Sequence, residues 1–171
     1  MKNLTLFLLC FINSYLFQAQ ETLKIDWPEE YNWQLLSNHE DEKLQVLEII
    51  PKVETANNWS LLGQMMVIKG ESNINMEKAK MLMFSQTQIN APNAKLTELE
   101  KKEDIEFPWI LFKVECPNFL EDENPESQLW YITKSDNALY VNFIAKKKEL
   151  LSPAFVDMWS SIFKKSKVLI E

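Results

Sequence analysis

Few side chains in this chain are suited to nucleophilic catalysis or to binding a transition metal. The sequence contains one histidine, His39, and two cysteines, Cys10 and Cys116. His39 falls in the polar run at residues 37–42, which is typical of a turn, so we expect its side chain to be exposed. One histidine and so few thiols cannot assemble an ordinary zinc site within one protomer. His39 could still activate a serine or Cys116, but no Gly-x-Ser-x-Gly motif is present.

Carboxylates are plentiful, with 25 Asp and Glu residues in the chain, and they suggest two kinds of chemistry. The acidic run at residues 121–126 carries oxygen ligands suited to calcium, but it lacks the spacing and the glycine of an EF-hand loop. We therefore expect a solvated loop there. Two carboxylates at a suitable separation can hydrolyse a glycosidic bond, yet no spacing marks a particular pair. The sequence predicts no catalytic, metal-binding or cofactor-binding residue, and a carboxylate-dependent hydrolase stays as an alternative.

The charge of the chain argues against nucleic acid as a partner. Its formal net charge is −7, and all 18 of its basic residues are lysines. Arginine supplies the bidentate fork that reads phosphates and guanine edges, so an acidic chain without arginine is poorly suited to nucleic acids. We interpret the lysine clusters at residues 146–148 and 164–165 as solvated ends of a strand and a helix. With two glycines in the chain, we expect no phosphate-binding loop.

The N-terminus has the pattern of a secretory signal peptide. Lys2 precedes an almost wholly apolar stretch at residues 4–17, and the small residue Ala19 follows it. The stretch is too short for a comfortable membrane span. A buried N-terminal helix is the competing interpretation. We predict a signal peptide over residues 1–20 and one domain over residues 21–171, which is exported to the periplasm or secreted and is not inserted in the membrane after signal removal.

Cys116 is the only thiol of this predicted mature chain, so no intrachain disulfide can form in it. It ends an alternating run in which apolar residues face one side and Lys113 and Glu115 face outward. The apolar face consists of Ile110, Phe112, Val114 and Cys116. We therefore expect a buried and unreactive thiol, and a reactive or intermolecular cysteine is the alternative.

Residues 128–134 and 138–145 are the clearest structural signal in the chain. Both runs are rich in β-branched and aromatic residues, and Asp136 and Asn137 between them tolerate the positive φ angles of a two-residue hairpin turn. Centring the turn there predicts four cross-strand pairs: Trp130 with Phe143 and Ile132 with Val141 on an apolar face, Tyr131 with Asn142 and Thr133 with Tyr140 on a mixed outer face. We expect Asn142 to be exposed on that outer face.

The other elements follow from periodicity and turn residues. Residues 59–69 are apolar on both faces, and Gly63 and Gly70 favour a central strand over a buried helix. The remaining extended segments are an arm at 22–30 and strands at 31–35, 43–50, 95–102 and 107–116. A first helix begins at Met76 and buries Ala79, Leu82 and Met83. A closing helix follows Ser152 and Pro153 and buries Phe155, Val156, Trp159, Ile162 and Phe163. The order β-β-β-α-β-β-β-β-α predicts an α+β fold, in which an antiparallel sheet is covered by two helices as a layered sandwich.

The six tryptophans divide into two groups. Trp130 and Trp159 fall on predicted core faces. The other four fall at the edges of elements: Trp27, Trp33, Trp59 and Trp109. We expect those four to seal the ends of the sandwich, although exposed aromatic residues of this kind can also bind partners or glycans.

The closing helix, Phe-Val-Asp-Met-Trp-Ser-Ser-Ile-Phe-Lys at residues 155–164, is similar to the last helix of the PsbP-like superfamily. The order of the predicted elements also resembles that superfamily over most of the mature chain. The resemblance implies a binding protein rather than an enzyme, and no functional residue of a characterised member maps onto this chain. Together with the predicted export signal, it leads us to expect a non-catalytic binding or assembly protein with a protein partner in the cell envelope. A periplasmic immunity-type inhibitor of a toxin is an alternative.

Overall fold

The computed structural model describes residues 21–120 and 124–170 of the chain. The predicted signal peptide and residues 121–123 of the acidic run lie outside the described residues. Within these ranges the elements are β1 (Glu21–Lys24), β2 (Trp33–Glu40), β3 (Leu44–Pro51), β4 (Leu61–Lys69), α1 (Met76–Asn90), β5 (Lys95–Lys102), β6 (Trp109–Cys116), β7 (Glu126–Lys134), β8 (Ala138–Lys146), α2 (Pro153–Lys164) and β9 (Lys167–Ile170).

Seven strands form one antiparallel sheet in the order β2-β3-β4-β8-β7-β6-β5. Strands β1 and β9 form a separate antiparallel pair, which we call the terminal ribbon. The predicted α+β fold, an antiparallel sheet with two helices, is confirmed. The sequence does not predict the terminal ribbon, because strands of four residues are too short to show a clear alternation.

Strands β7 and β8 form the predicted hairpin, and all four predicted cross-strand pairs are present. The prediction of positive φ angles in its turn is wrong, since Asn32 is the only non-glycine residue with positive φ among the described residues. Instead, the Ser135 hydroxyl accepts hydrogen bonds from the backbone N–H groups of Asn137 and Ala138, each at 3.1 Å. The backbone also closes the turn, since the Ser135 N–H donates to the Ala138 carbonyl at 2.9 Å, and the Ser135 hydroxyl reinforces that closure.

Strand β2 extends through residues that the sequence assigns to a turn. It continues to Glu40 beyond a β-bulge between Leu35 and Ser37. A bulge adds one residue to a strand and so shifts the alternation of its side chains, which explains why the strand pattern stops at Leu35. His39 consequently lies in a strand rather than in a turn.

Helix α1 packs on one face of the sheet. Its buried positions have helical spacing, and they are Met76, Ala79, Lys80 and Met83. The prediction that Leu82 belongs to this face is wrong, since Leu82 is 44% exposed. Lys80 takes part in the buried stripe instead, because its ammonium group forms ion pairs with the carboxylates of Glu77 at 2.7 Å and Glu98 at 2.5 Å.

Helix α2 packs on the opposite face, so the central strands are buried on both sides. Its N-cap is the predicted Ser152, whose hydroxyl accepts a hydrogen bond from the Phe155 N–H, and Pro153 occupies the first turn. Against the sheet it buries Phe155, Trp159 and Phe163, which pack with Leu111, Leu129, Tyr131 and Ile144. The sequence does not predict this second core, because the pattern of the hairpins shows one apolar face and one mixed face.

Burial of this second face corrects two predictions of outward-facing residues. Asn142 is only 2% exposed, and its side chain donates a long hydrogen bond of 3.4 Å to the Tyr131 carbonyl. Glu115 is 9% exposed; one carboxylate oxygen pairs with Lys113 at 2.8 Å, and the other accepts a hydrogen bond from the Leu151 N–H at 3.1 Å. The Glu115 carboxylate thereby positions the chain that enters α2.

An aromatic cluster surrounds Trp159, which is fully buried. Five ring centroids lie 5.5 to 6.2 Å from its own: those of Trp27, Tyr31, Trp33, Phe155 and Phe163. The cluster joins α2 to the chain at residues 25–33, which we call the N-terminal arm. Aromatic pairs at these separations stabilise a core beyond the burial of their area.

We expect Trp159→Ala to destabilise the protein by about 3–5 kcal/mol, because it removes a fully buried indole and leaves a cavity. Urea denaturation followed by circular dichroism measures this. The control is Trp59→Ala, since Trp59 is only partly buried and lies on the α1 face. An unchanged midpoint and slope for Trp159→Ala would show that α2 does not pack as described.

Gly63 allows the N-terminal arm to lie against the middle of the sheet. A Cβ atom built on Gly63 would lie 2.6 Å from Cζ3 of Trp27 and 3.0 Å from Cγ1 of Ile49. Real Cβ atoms do not approach a ring so closely, so only glycine permits this contact at the present position of the arm. Gly63, which favours a strand in the sequence, therefore also makes room for the Trp27 ring.

We predict that Gly63→Ala destabilises the protein by about 1–3 kcal/mol, because the added methyl group overpacks this contact. Replacing Trp27 by Leu makes room for that methyl group. The double variant Trp27→Leu/Gly63→Ala should therefore cost less than the sum of the two single changes, as measured by urea denaturation of all four proteins. Strictly additive costs would contradict a direct clash between these residues.

Candidate functional site

The structure separates the two residues with nucleophilic or basic chemistry. His39 is exposed on β2, and its Nε2 lies 3.9 Å from a carboxylate oxygen of Asp41. Cys116 is fully buried in the core under α1, as predicted. Burial raises the pKa of the Cys116 thiol to about 11, and the nearby Glu126 carboxylate contributes to the rise. A buried thiol of such high pKa stays protonated at neutral pH and is a poor nucleophile.

We expect Cys116 to resist alkylation in the native protein at pH 7–9 and to take one label when unfolded, because its pKa of about 11 keeps the thiol protonated in that range. Intact mass spectrometry of protein isolated from the producing cells, with and without iodoacetamide, measures both states. The same spectrum tests the predicted leader, whose removal near Ala19 would lower the mass. Fast native labelling would place Cys116 at the surface, and a retained leader would overturn the predicted export.

The acidic run at residues 121–126 is described only from Asn124 onward. Glu126 belongs to β7, and its carboxylate accepts a hydrogen bond from Gln128 Nε2 at 2.8 Å and pairs with Lys147 at 3.1 Å. Among the described residues, no group of three or more His, Cys, Asp or Glu side chains is arranged to hold a metal ion.

The tryptophans lie in or against the two cores. Trp27, Trp33 and Trp109 pack in the core under α2, and Trp59 packs against the core under α1 with the Lys147 ammonium 4.4 Å from its ring centroid. None of these four is among the exposed large hydrophobic residues. All four therefore pack against a core, and Trp27 lies over Gly63 of the inner strand β4 rather than at an end of the sandwich.

Two open grooves lie on the α2 face of the sheet. The smaller, of about 420 Å³, runs between the terminal ribbon and the β5–β6 turn, and we call it the ribbon groove. The larger, of about 810 Å³, lies over β3 and β4 beside the tip of the β7–β8 hairpin. We call it the acidic groove, and its lining includes Glu21, Glu40, Glu42, Leu47, Met65, Val67, Lys69 and Asp136.

The hydroxyl groups of Ser166 and Thr133 in the ribbon groove are already bonded within the protein. The Ser166 hydroxyl donates to the Phe163 carbonyl at 2.6 Å, and the Thr133 hydroxyl donates to the Pro108 carbonyl at 3.0 Å. Burial raises the pKa of Tyr131, and its hydrogen bonds with Ser166 and Thr133 oppose that rise. These hydroxyl groups are therefore engaged within the protein, and the charged groups that line the ribbon groove are Glu106, Lys164 and Lys167.

The floor of the acidic groove is apolar because the sheet alternates its side chains. Leu47 pairs with Met65 across β3 and β4, and the side chain of Val67 lies on the same face one step further. All three are only partly buried, since α2 and the N-terminal arm cover the sheet elsewhere. The floor is therefore a partly exposed apolar surface without a covering element among the described residues.

The rim of this groove carries a strong negative charge. Four carboxylates, Glu21, Glu40, Glu42 and Asp136, line it together with one cation, Lys69. Lys69 pairs with Glu40 at 2.9 Å, whereas within the described part of the chain neither Glu42 nor Asp136 forms an ion pair. The four acids and one lysine leave a formal charge of −3 around the apolar floor.

Glu21 fastens the N-terminal end of the domain to the hairpin tip beside the groove. Its carboxylate accepts a hydrogen bond from Asn137 Nδ2 at 2.7 Å and a very short one from the Ser135 hydroxyl. The same Ser135 hydroxyl holds the hairpin turn. This shared contact fixes one wall of the groove, so the acidic groove is largely preformed.

The sequence does not predict this groove. Its acids lie at positions 21, 40, 42 and 136, and only the sheet order brings them together. The local signal was the acidic run of Glu40, Asp41 and Glu42, which is interpreted from the sequence as a turn. Hydrogen bonds from the backbone N–H groups of Lys43 and Leu44 hold the pKa of Asp41 below its ordinary value, so this corner of the molecule keeps its charge.

Comparisons with known proteins leave the resemblance to the PsbP-like superfamily a prediction. No family model matches the chain, and no curated protein is significantly similar to it. Neither of the described helices has the length and the apolar composition needed to cross a membrane.

Proposed function

We propose that this protein is a non-catalytic binding protein of the cell envelope, whose acidic groove holds a cationic face of a partner protein. The observation that carries the proposal is the apolar floor of Leu47, Met65 and Val67 inside an acidic rim. Interfaces of this kind combine an apolar centre, which supplies affinity, with a charged rim, which supplies orientation and speed of association.

The bonding partners of the carboxylates at the groove rim support binding rather than catalysis. Glu21 is held by Ser135 and Asn137, and Glu40 is held by Lys69, so these carboxylates are bonded to donors of the chain itself. A retaining or inverting hydrolase needs two carboxylates that face each other across a bound sugar, one of them with a raised pKa. The described arrangement instead spreads single charges around an open apolar surface.

The net charge of the whole chain supports a cationic partner. A chain of net charge −7 attracts a basic protein over a distance of about 8–10 Å at physiological salt and repels an acidic one. Uncompensated Glu42 and Asp136 at the rim place part of that charge where the partner would dock. The predicted export signal and the resemblance to PsbP-like proteins are the reasons for placing the partner in the envelope.

An immunity-type inhibitor of a periplasmic toxin is a second candidate, favoured by the same concentration of negative charge. An inhibitor that covers a cationic active site uses an acidic surface of this kind. The two candidates differ in the partner: a toxin encoded beside this protein and inactivated by it supports the inhibitor, and a resident envelope protein supports the assembly role.

We predict that Glu42→Lys weakens binding of the partner at least tenfold, because it reverses a charge that no cation of the described chain compensates. A photo-crosslinking amino acid at Val67 should capture the partner in intact cells, and the same group at Ser85, on the exposed side of α1, should not. The captured protein is identified by mass spectrometry and then titrated against purified variants at two salt concentrations.

Asp104→Lys is the matched control, since Asp104 is an exposed acid in the turn between β5 and β6, at the other end of the sheet. It should leave the affinity unchanged. Equal capture from Val67 and Ser85, or an affinity that Glu42→Lys does not alter, would contradict the proposal. Turnover of esters, glycosides or phosphates by the purified protein, lost when one groove acid becomes alanine, would replace it with the hydrolase.

A further inference from the structure

The two edges of the seven-stranded sheet differ in their protection against strand addition. Edge strand β5 carries lysines at positions 95, 101 and 102, and lysine on an edge strand discourages another strand from pairing with it. Edge strand β2 has no lysine, and it exposes 59% of Leu35. The edge without lysines is the one that borders the acidic groove.

The hydrogen bonds of the β2–β3 hairpin show which backbone groups face this edge. The Asp41 N–H donates to the Leu44 carbonyl at 2.8 Å, so that pair is a hydrogen-bonded one. Hydrogen-bonded and non-hydrogen-bonded pairs alternate along an antiparallel ladder. The pairs of Glu40 with Gln45 and Asn38 with Leu47 are therefore non-hydrogen-bonded. The N–H and C=O groups of Asn38 and Glu40 point away from β3 and toward the free edge.

These outward-facing groups are available among the described residues. No backbone hydrogen bond other than those of the β2–β3 ladder engages Asn38 or Glu40 in the described chain. Their side chains lie on the same face as Leu47 and Gln45, which is the face of the acidic groove. A strand added here would present alternate side chains to that face, beside Glu40 and Glu42.

We infer that the partner binds by adding an extended strand to β2, with lysine or arginine side chains on the groove face. Its backbone pairs with Asn38 and Glu40, and its cationic side chains lie against Glu40 and Glu42. The inference rests on the proposed function and specifies how the partner occupies the site. Main-chain hydrogen bonds supply affinity in strand addition, and the alternate side chains supply selectivity.

Charge selects a cationic partner over a second copy of this chain. Another copy would bring a further net charge of −7 to an edge that ends in Glu40, Asp41 and Glu42. The bulge between Leu35 and Ser37 also limits regular pairing to a short segment of the edge. A short segment favours a peptide-like strand over the long continuous edge that a stable sheet-to-sheet dimer uses.

The test uses the full protein and a fluorescent eight-residue peptide in which lysine and valine alternate. We expect the peptide to bind, with an affinity that falls as salt is raised. Asn38→Pro should weaken binding at least tenfold, because it removes an outward N–H while leaving the β2–β3 ladder intact. Asn38→Ala keeps that N–H and should bind within twofold of the unaltered protein. Circular dichroism and thermal denaturation establish that both variants are folded.

A second measurement leaves the protein unchanged. Two versions of the peptide carry N-methyl groups, one on all lysines and one on all valines, so that each loses the N–H groups on one of its edges. Strand addition requires that one version loses at least tenfold in affinity and the other binds within a few fold. This comparison tests the inference even if Asn38→Pro fails to fold.

The outcomes separate the inference from the proposed function. Binding that Glu42→Lys weakens, but that neither Asn38→Pro nor either methylated peptide weakens, would overturn strand addition and keep the acidic groove as the site. Binding that none of these changes affects would overturn both. Equal binding of a peptide in which glutamate replaces lysine would contradict the charge selection on which both rest.

Discussion

The width of the sheet determines what the rest of the molecule must cover. Seven strands at about 4.8 Å spacing make a sheet about 34 Å wide, whereas one helix with its side chains covers about 10–12 Å. One helix on each face leaves most of the width open. On the α2 face the N-terminal arm fills part of the gap, with Trp27 and Trp33 packed on Trp159. Beyond the arm, the partly exposed Leu47, Met65 and Val67 become the floor of the acidic groove.

The parts of the fold that were predictable from the sequence depend on local pattern. The β7–β8 register follows from alternation and a turn of fixed length, so all four pairs are confirmed. Two predictions failed where a distant residue decides the outcome. The buried stripe of α1 includes Lys80, which pairs with Glu98 on β5, and excludes Leu82, while Asn142 is buried because α2 packs over the second face of the hairpin. Neither partner is visible in the local sequence.

The candidate site was out of reach of sequence reasoning for the same reason. Its acids lie far apart in the sequence, at positions 21, 40, 42 and 136. The Ser135 hydroxyl joins Glu21 to the hairpin tip and also accepts a hydrogen bond within the turn. The buried thiol of Cys116 was predictable, because its position in an alternating strand decides its burial. The local sequence pattern therefore predicts the burial of Cys116 more readily than the clustering of the exposed acids.

The acids at the end of β2 bear on a risk that the partly uncovered sheet creates. A free edge beside a partly exposed apolar floor would pair with other copies of the chain, and proteins prevent this with charges, bulges or lysines on the edge. Here β5 carries lysines and a bulge between Glu98 and Glu100, and β2 carries a bulge and ends at Glu40, which Asp41 and Glu42 follow in the turn. The lysines lie on the β5 edge, which is not beside the acidic groove. In the proposed function, the acids beside this edge repel a second chain of net charge −7 and leave the same backbone groups open to a cationic strand, so that one set of charges serves both purposes.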